Sequence, residues 1–271
     1  MKTIQLDLFN HETLLQTAKS EHKTYLAYQS QYALGNYYRV TVPAAPVYVW
    51  VQLDAALAPT LIYMTQTTWD FQIPFNIQRE WPYPTGAFMG KRHYARVWYA
   101  TAKEAALRQN LAVNSHDQHE KTGAYPHASA NAETRNEFVF YAKNAIDGIE
   151  ANELHGSYPF QSWGIDARND AEFTLEFGRP IDLEDLVLVL RADYPHDSHW
   201  TSMTIALPDE KTFVIHPQKT AAAQTFAINA KRVSWLKLVN LEKDKDASNF
   251  PALTQIEAWG HPSAIGEEEA L

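Results

Sequence analysis

From Tyr37 onward the chain alternates apolar and polar positions with a period of two. Val47, Val49, Val51 and Leu53 interleave with Tyr48, Trp50, Gln52 and Asp54, the pattern of a strand that buries one face. Pro43 and Pro46 set a turn between this run and Tyr38-Arg39-Val40-Thr41-Val42, because proline cannot donate to a ladder. Leu61-Ile62-Tyr63-Met64 and Arg96-Val97-Trp98-Tyr99 predict further strands. Between them Ile73-Pro74-Phe75 and Glu80-Trp81-Pro82-Tyr83-Pro84-Thr85-Gly86 predict a long aromatic loop, since its prolines forbid a central strand. Upstream, Leu14, Leu15 and Ala18 are spaced for a short helix, while Tyr25 to Tyr32 reads equally well as extended.

Residues 101–109 have helix-favouring composition and sit where the character of the chain changes. This predicts a β-rich domain over 1–108, a second domain over 109–262 and an acidic tail over 263–271 that carries Glu267-Glu268-Glu269. In the second domain Phe173, Leu175 and Phe177 alternate with Glu172, Thr174 and Glu176, and Gly178-Arg179-Pro180 reads as the end of that strand. Leu186 to Leu190 is apolar on both faces, as a central strand is. Met203 to Leu207, Thr212 to Ile215, Phe226 and Ile228, Ser234 to Leu241 and Thr254 to Trp259 complete the set. Short strands at regular spacing with turns between them predict an all-β protein of two β-sandwich-type domains.

Composition narrows the function classes. The 271 residues are 45% hydrophobic and 20% charged, as in a globular protein. The net charge is −9 and no block of Lys and Arg stands out, so the electrostatic footprint of a nucleic-acid partner is missing. There is no Cys, which excludes disulfides, thiolate zinc sites and cysteine nucleophiles and fits a reducing compartment. Asp7 interrupts the segment where a signal peptide would run apolar, and no stretch approaches the 18 or so apolar residues of a membrane span. The expectation is a soluble, cytoplasmic protein with no membrane partner. Aromatic residues make up 13%, with 8 Trp and 14 Tyr, which suits a core, an oligomer interface or a surface that stacks on sugar rings. Trp69-Asp70-Phe71 and Trp81-Pro82-Tyr83 read as cement between the domains or the lining of a groove between them.

One ordered series of segments carries a family resemblance. Asn110-Leu111-Ala112 opens it, followed by Ala128-Ser129-Ala130, Lys143-Asn144-Ala145-Ile146-Asp147-Gly148, Gln161-Ser162-Trp163-Gly164, Phe173 to Gly178, and Leu253 to Gly260 at the close. In this order over about 150 residues the chain resembles the discoidin or coagulation-factor C-type domain, whose fold is a galactose-binding-like jelly roll. The resemblance implies a core position for Trp163 and, in many members, carbohydrate binding. It also implies a structural calcium, whose Asp and Glu ligands match Asp147 and Glu257 here. Calcium needs six to eight or so oxygen ligands, which two carboxylates and backbone carbonyls can supply. The alternative is that Asp147 caps a turn ahead of Gly148 and Glu257 faces solvent. Residues 1–108 resemble no family we can name.

The densest polar cluster is Arg191 to Trp200, joining two predicted strands. Loops of this kind are where sandwiches bind ligands. Arg191, Asp193, His196 and Asp197, with His199, offer planar donors and acceptors for vicinal hydroxyls, and Trp200 offers an apolar face. A second wall is the turn from Glu153 to Phe160, which carries His155 and Tyr158. Alternatively Arg191 and Asp193 pair with each other or with backbone, and Trp200 plugs the end of the core. His196, Asp197 and His199 are also ordinary transition-metal ligand types, at a spacing that matches no usual motif. No nucleophile elbow, phosphate loop, dinucleotide fingerprint or His-Glu-x-x-His is present. The expected function is recognition of a carbohydrate or similar polyhydroxylated ligand. The alternatives are a sugar-processing enzyme with its site between the domains, and an assembly module that forms a homo-oligomer.

Overall fold

The structure is a computed structural model that describes residues 3–195, 198–246 and 248–264. The first half holds β1 (Ile4–Asn10), β2 (Thr13–Ser20), β3 (Lys23–Tyr28), β4 (Asn36–Thr41), β5 (Val47–Gln52), β6 (Thr60–Met64), β7 (Thr68–Gln72) and β8 (His93–Tyr99), with short helices α1 (Ile77–Glu80) and α2 (Ala102–Ala106). The second half holds β9 (Gln109–Asn110), β10 (Ala124–Tyr125), β11 (His127–Ala130), β12 (Trp163–Gly164), β13 (Phe173–Leu190), β14 (Trp200–Ala206), β15 (Thr212–Ile215), β16 (Gln224–Lys243) and β17 (Ala252–Pro262).

Two antiparallel sheets, ordered β2-β1-β4-β7 and β10-β6-β5-β8-β3, close over one core in the first half. Leu6, Tyr38 and Phe71 come from one sheet and Val49, Val51, Ile62 and Val97 from the other, all with no exposed surface. The period of two seen at Val47 to Leu53 is therefore the pleat facing this core. The helix suggested by Leu14, Leu15 and Ala18 does not form: these residues lie on β2, an edge strand paired with β1. Leu14 and Leu15 are exposed. Pairing with β1 supplies the backbone partners that an isolated short helix would have to nucleate for itself.

The second half is one hydrogen-bonded sheet, ordered β12-β17-β13-β16-β14-β15, with β11 added beside β13 and β9 beside β17. Gly178-Arg179-Pro180 does not end a strand. Register shifts between Glu176 and Ile181, and Gly178 at φ +68, make it a bulge inside β13. β16 likewise runs unbroken through Asn229 and Arg232, both at positive φ. These bends let the sheet fold back over a single core that includes Trp163, Phe173, Phe177, Leu188 and Trp200. Trp163 is fully buried and donates its Nε1–H to Ala132 O at 2.9 Å.

The halves are knitted by the segment after α2. β10 pairs with β6, so a short strand from beyond α2 completes a sheet of the first half. His116, buried, accepts the Leu53 N–H at Nε2 (3.0 Å) and so carries its proton on Nδ1, beside Ser115 Oγ at 3.0 Å. The Gln118 amide accepts from Gln72 N at 3.0 Å and donates to Gln72 O at 2.9 Å, pairing with the open edge of β7 as a strand would. The Arg179 guanidinium lies over the rings of Tyr48 and Tyr63, at 4.7 and 4.9 Å. Trp69 and Phe71 belong to the core of the first half, whereas Trp81 O accepts Tyr158 N at 2.7 Å and so joins the halves. Among the described residues no helix is long and apolar enough to cross a membrane. Glu267 to Glu269 lie outside the described residues.

Candidate functional site

β13 delivers the chain to the first candidate loop, and a buried asparagine holds that loop in place. Asn152 donates to Leu190 O at 2.7 Å and Ala221 O at 3.0 Å, while its own carbonyl accepts Ala192 N at 2.8 Å. Arg191 N bonds to Ala252 O at 3.1 Å, fixing the start of the loop against β17. Arg191 Nε then lies 2.9 Å from Asp193 Oδ1, with both side chains less than a tenth exposed. The second oxygen of Asp193 bonds His155 Nδ1. His155 and Asp193, 38 residues apart in the chain, thus join the two loops through one carboxylate.

Arg191 and His155 line a hollow of about 160 Å³ together with Arg135, Phe140, Gly164 and Phe250. Gly164 is required there, because a Cβ would stand 2.6 Å from Thr134 Oγ1. Arg135 is oriented by two 2.7 Å bonds to Glu137 and lies over Phe140 at 5.4 Å. Phe250 is 45% exposed and offers a free apolar face. Arg191 Nε and Asp193 Oδ1 are buried, close, and out of hydrogen-bond alignment with each other, so each keeps bonding capacity among the described residues. With Nδ1 against Asp193, the exposed edge of the His155 ring presents Nε2 outward. Guanidinium, imidazole and a phenyl face line the hollow, and the Asp193 carboxylate bridges the first two.

Several residues singled out in the sequence stand elsewhere. Trp200 is a correction: it has no exposed surface and stacks on Trp163 at 6.1 Å inside the core, so it presents no face to a ligand. Its inward turn is out of phase with Met203 and Ile205 farther along β14, and follows from the register shifts on either side of Ser202. Tyr158 is 37% exposed but lines the junction with the first half, together with Pro82 and Pro84, and not the Arg191 hollow. His199 turns toward Asp244, 3.6 Å away, and does not line the Arg191 hollow. His196 and Asp197 lie outside the described residues. Sequence reading missed Arg135, Phe140 and Phe250. Only Phe250, an isolated aromatic ahead of Pro251 in a polar loop, carried a local signal.

The residues matched to a calcium site do not fit one. Asp147 Oδ1 accepts Ile149 N and Gln255 Nε2, each at 2.8 Å, and Oδ2 accepts Gln161 Nε2 at 2.7 Å. N–H groups therefore point where a cation would need oxygen. Gln255 Nε2 also donates to Asn144 O at 2.8 Å, and its Oε1 accepts Gly148 N at 3.1 Å. Glu257 is turned to Trp259 Nε1, at 2.6 Å. Burial pushes the Asp147 carboxyl up to about 7. Among the described residues the group of three ligand types that converges is His199, Asp244 and Asp246. Lys219 and Lys243 already bring ammonium groups to 3.5 and 3.7 Å of Asp246.

No protein-family model and no curated protein matches the chain. Among solved structures it is similar to a chitosan-binding module derived from a chitosanase/glucanase of Paenibacillus sp. IK-5, at 14% identity and TM-score 0.40, covering 57% of this chain and 100% of that one. It is similar to a fucose-binding module of Streptococcus pneumoniae at 10% identity and TM-score 0.40, covering 56% and 98%. The lectin domain of lectinolysin, solved with Lewis b antigen, aligns at 16% identity and TM-score 0.41, covering 58% and 98%.

Proposed function

We propose that this chain binds carbohydrate, with a sugar ring seated in the hollow where Arg191, Asp193 and His155 converge beside Phe250. The observation that carries this reading is the shared carboxylate: Asp193 touches both Arg191 and His155 across two loops, which orients a planar donor and an imidazole toward one space. A sugar hydroxyl both donates and accepts, so it suits a wall that carries the Arg191 guanidinium and the half-exposed His155 imidazole. Phe250 supplies the face on which the C–H side of a ring packs. The hollow is small, which favours the end of a glycan over the middle of a chain. Binding requires no catalytic group and no metal at this site.

A glycan array followed by calorimetry on the responding sugars tests the reading. Saturable binding that is lost in Asp193→Ala and weakened in Phe250→Ala is the expected result. Binding that survives both substitutions would place the sugar elsewhere.

A further inference from the structure

A larger cavity lies away from the Arg191 hollow, where the open edge of β7 faces the segment after α2. It encloses about 480 Å³, within the range of roughly 300–1,000 Å³ typical of small-molecule sites, and domain junctions are where such sites concentrate. Its aromatic side is formed by Tyr83, Phe138 and Tyr141. Phe138 and Tyr141 meet edge to face at 5.2 Å, and the His119 ring lies 4.4 Å from Tyr141. Facing them are the side chains of Gln66, Gln72 and Gln78, exposed amides for which the described residues provide no hydrogen-bond partner.

The charged side chains of this cavity are held by neighbours. Asp70 is held by Arg39 through two bonds of 2.6 and 2.7 Å. Asp117 is held by His127 at 2.9 Å and by Ala128 N at 2.9 Å. Glu133 is held by His119 at 2.9 Å and by Ala142 N at 2.8 Å. The bond to Glu133 pushes the His119 ring up to about 8, so that pair too is an ion pair at neutral pH. Glu120 Oε1 lies 3.3 Å from His119 Nδ1, and Lys143 bonds Asn144 Oδ1 at 3.3 Å and lies over the Tyr83 ring at 4.9 Å. Each charged side chain on this wall is thus already engaged by a neighbour. The cavity has free amides, each both donor and acceptor, opposite aromatic rings.

We infer that the junction of the two halves is a second ligand site, which takes an uncharged sugar of one or two rings. The inference rests on the carbohydrate reading above only for the class of ligand. The cavity shares no lining residue with the Arg191 hollow, so the two sites succeed or fail separately. Two sites in one chain would let it hold two ends of a branched glycan, or two glycans, and so gain avidity without a tighter contact at either.

The test uses the full chain and backbone amide NMR with lactose, maltose, cellobiose and chitobiose, and inorganic sulfate as an ionic probe. At least one disaccharide is expected to shift the amides of Gln72, Gln118 and Tyr141, and to do so unchanged in Asp193→Ala. Gln78→Ala, an exposed change that leaves the fold intact, is expected to weaken those shifts roughly two- to ten-fold, the loss of one hydrogen bond. Phe138→Ala is expected to weaken them further, with circular dichroism reporting whether the fold is kept. Silence at the junction with all four sugars overturns the inference, as does a response to sulfate alone. Loss of every sugar response in an Asp193→Ala chain that circular dichroism shows to be folded overturns the junction site and leaves the Arg191 site standing. A junction response with none at Arg191 does the reverse.

Discussion

Gln255 Nε2 donates to Asp147 Oδ1 at 2.8 Å and, with its second hydrogen, to Asn144 O at 2.8 Å. One side-chain amide thus ties the Asn144–Gly148 turn to β17, at the position the family resemblance reserves for a metal.

The expected consequence is stability without calcium. A chelator should leave the melting temperature unchanged. Gln255→Glu should lower stability by about 2 kcal/mol or more, since it removes two donors and sets a second carboxylate against Asp147. Millimolar calcium should restore part of that loss. A wild-type melting temperature that drops on chelation would contradict the amide staple.

Asp147 also predicts a pH dependence. Its folded-state carboxyl is pushed up to about 7 from an ordinary 3.8. A raised carboxyl contributes stability that is complete below 3.8 and is lost as pH rises through about 7. Asp147→Asn should therefore flatten the fall in melting temperature between pH 4 and 8. An unchanged slope in that variant would remove Asp147 as its source.

His116 acts in the opposite sense. Burial lowers its ring to about 3, and its Nε2 must stay unprotonated to accept Leu53 N. Its contribution is complete above 6.5 and is lost as pH falls toward 3. His116→Ala should cost about 1–3 kcal/mol by leaving the Leu53 N–H unsatisfied, and should reduce the acid sensitivity seen in thermal melts. Equal acid sensitivity in the variant would contradict this assignment.

Within the Arg191 site, two substitutions should separate binding from folding. His155 is half exposed, so His155→Ala should weaken sugar binding with little change in melting temperature. Asp193→Ala leaves a buried guanidinium without its ion pair and should cost about 3 kcal/mol or more in denaturant unfolding, besides abolishing binding. If His155→Ala binds sugar as tightly as wild type, the ring does not touch the ligand.

Trp200 should behave as a core residue. Trp200→Ala is expected to cost about 3–5 kcal/mol, whereas Trp200→Phe, if it folds, should bind sugar normally. A specific loss of binding in folded Trp200→Phe would return the indole to the site.

The strands were largely legible because the side-chain period of a strand is local. Val49, Val51, Phe173 and Phe177 could be placed on a buried face before any pairing was known, and all four are buried. Arg191, Asp193 and His155 could be nominated because loops between strands hold polar groups that no ladder requires. β2 could not be separated from a helix, since only its pairing with β1 decides between them. The continuity of β13 through Gly178-Arg179-Pro180 was likewise hidden, because a bulge exists only relative to a neighbouring strand.

By itself, then, the amino-acid sequence determined an all-β chain, the buried faces of its strands, and two loops rich in binding chemistry. Tertiary structure alone decided which side chains share a space. It turned Trp200 inward onto Trp163, sent Tyr158 to the junction of the halves, brought Phe250 to Arg191, and set Gln255 against Asp147. The physical reason is sequence separation. Alternation along a strand is written in neighbours, whereas a site assembled from loops dozens to a hundred residues apart depends on register and bulges that emerge only when the sheets close.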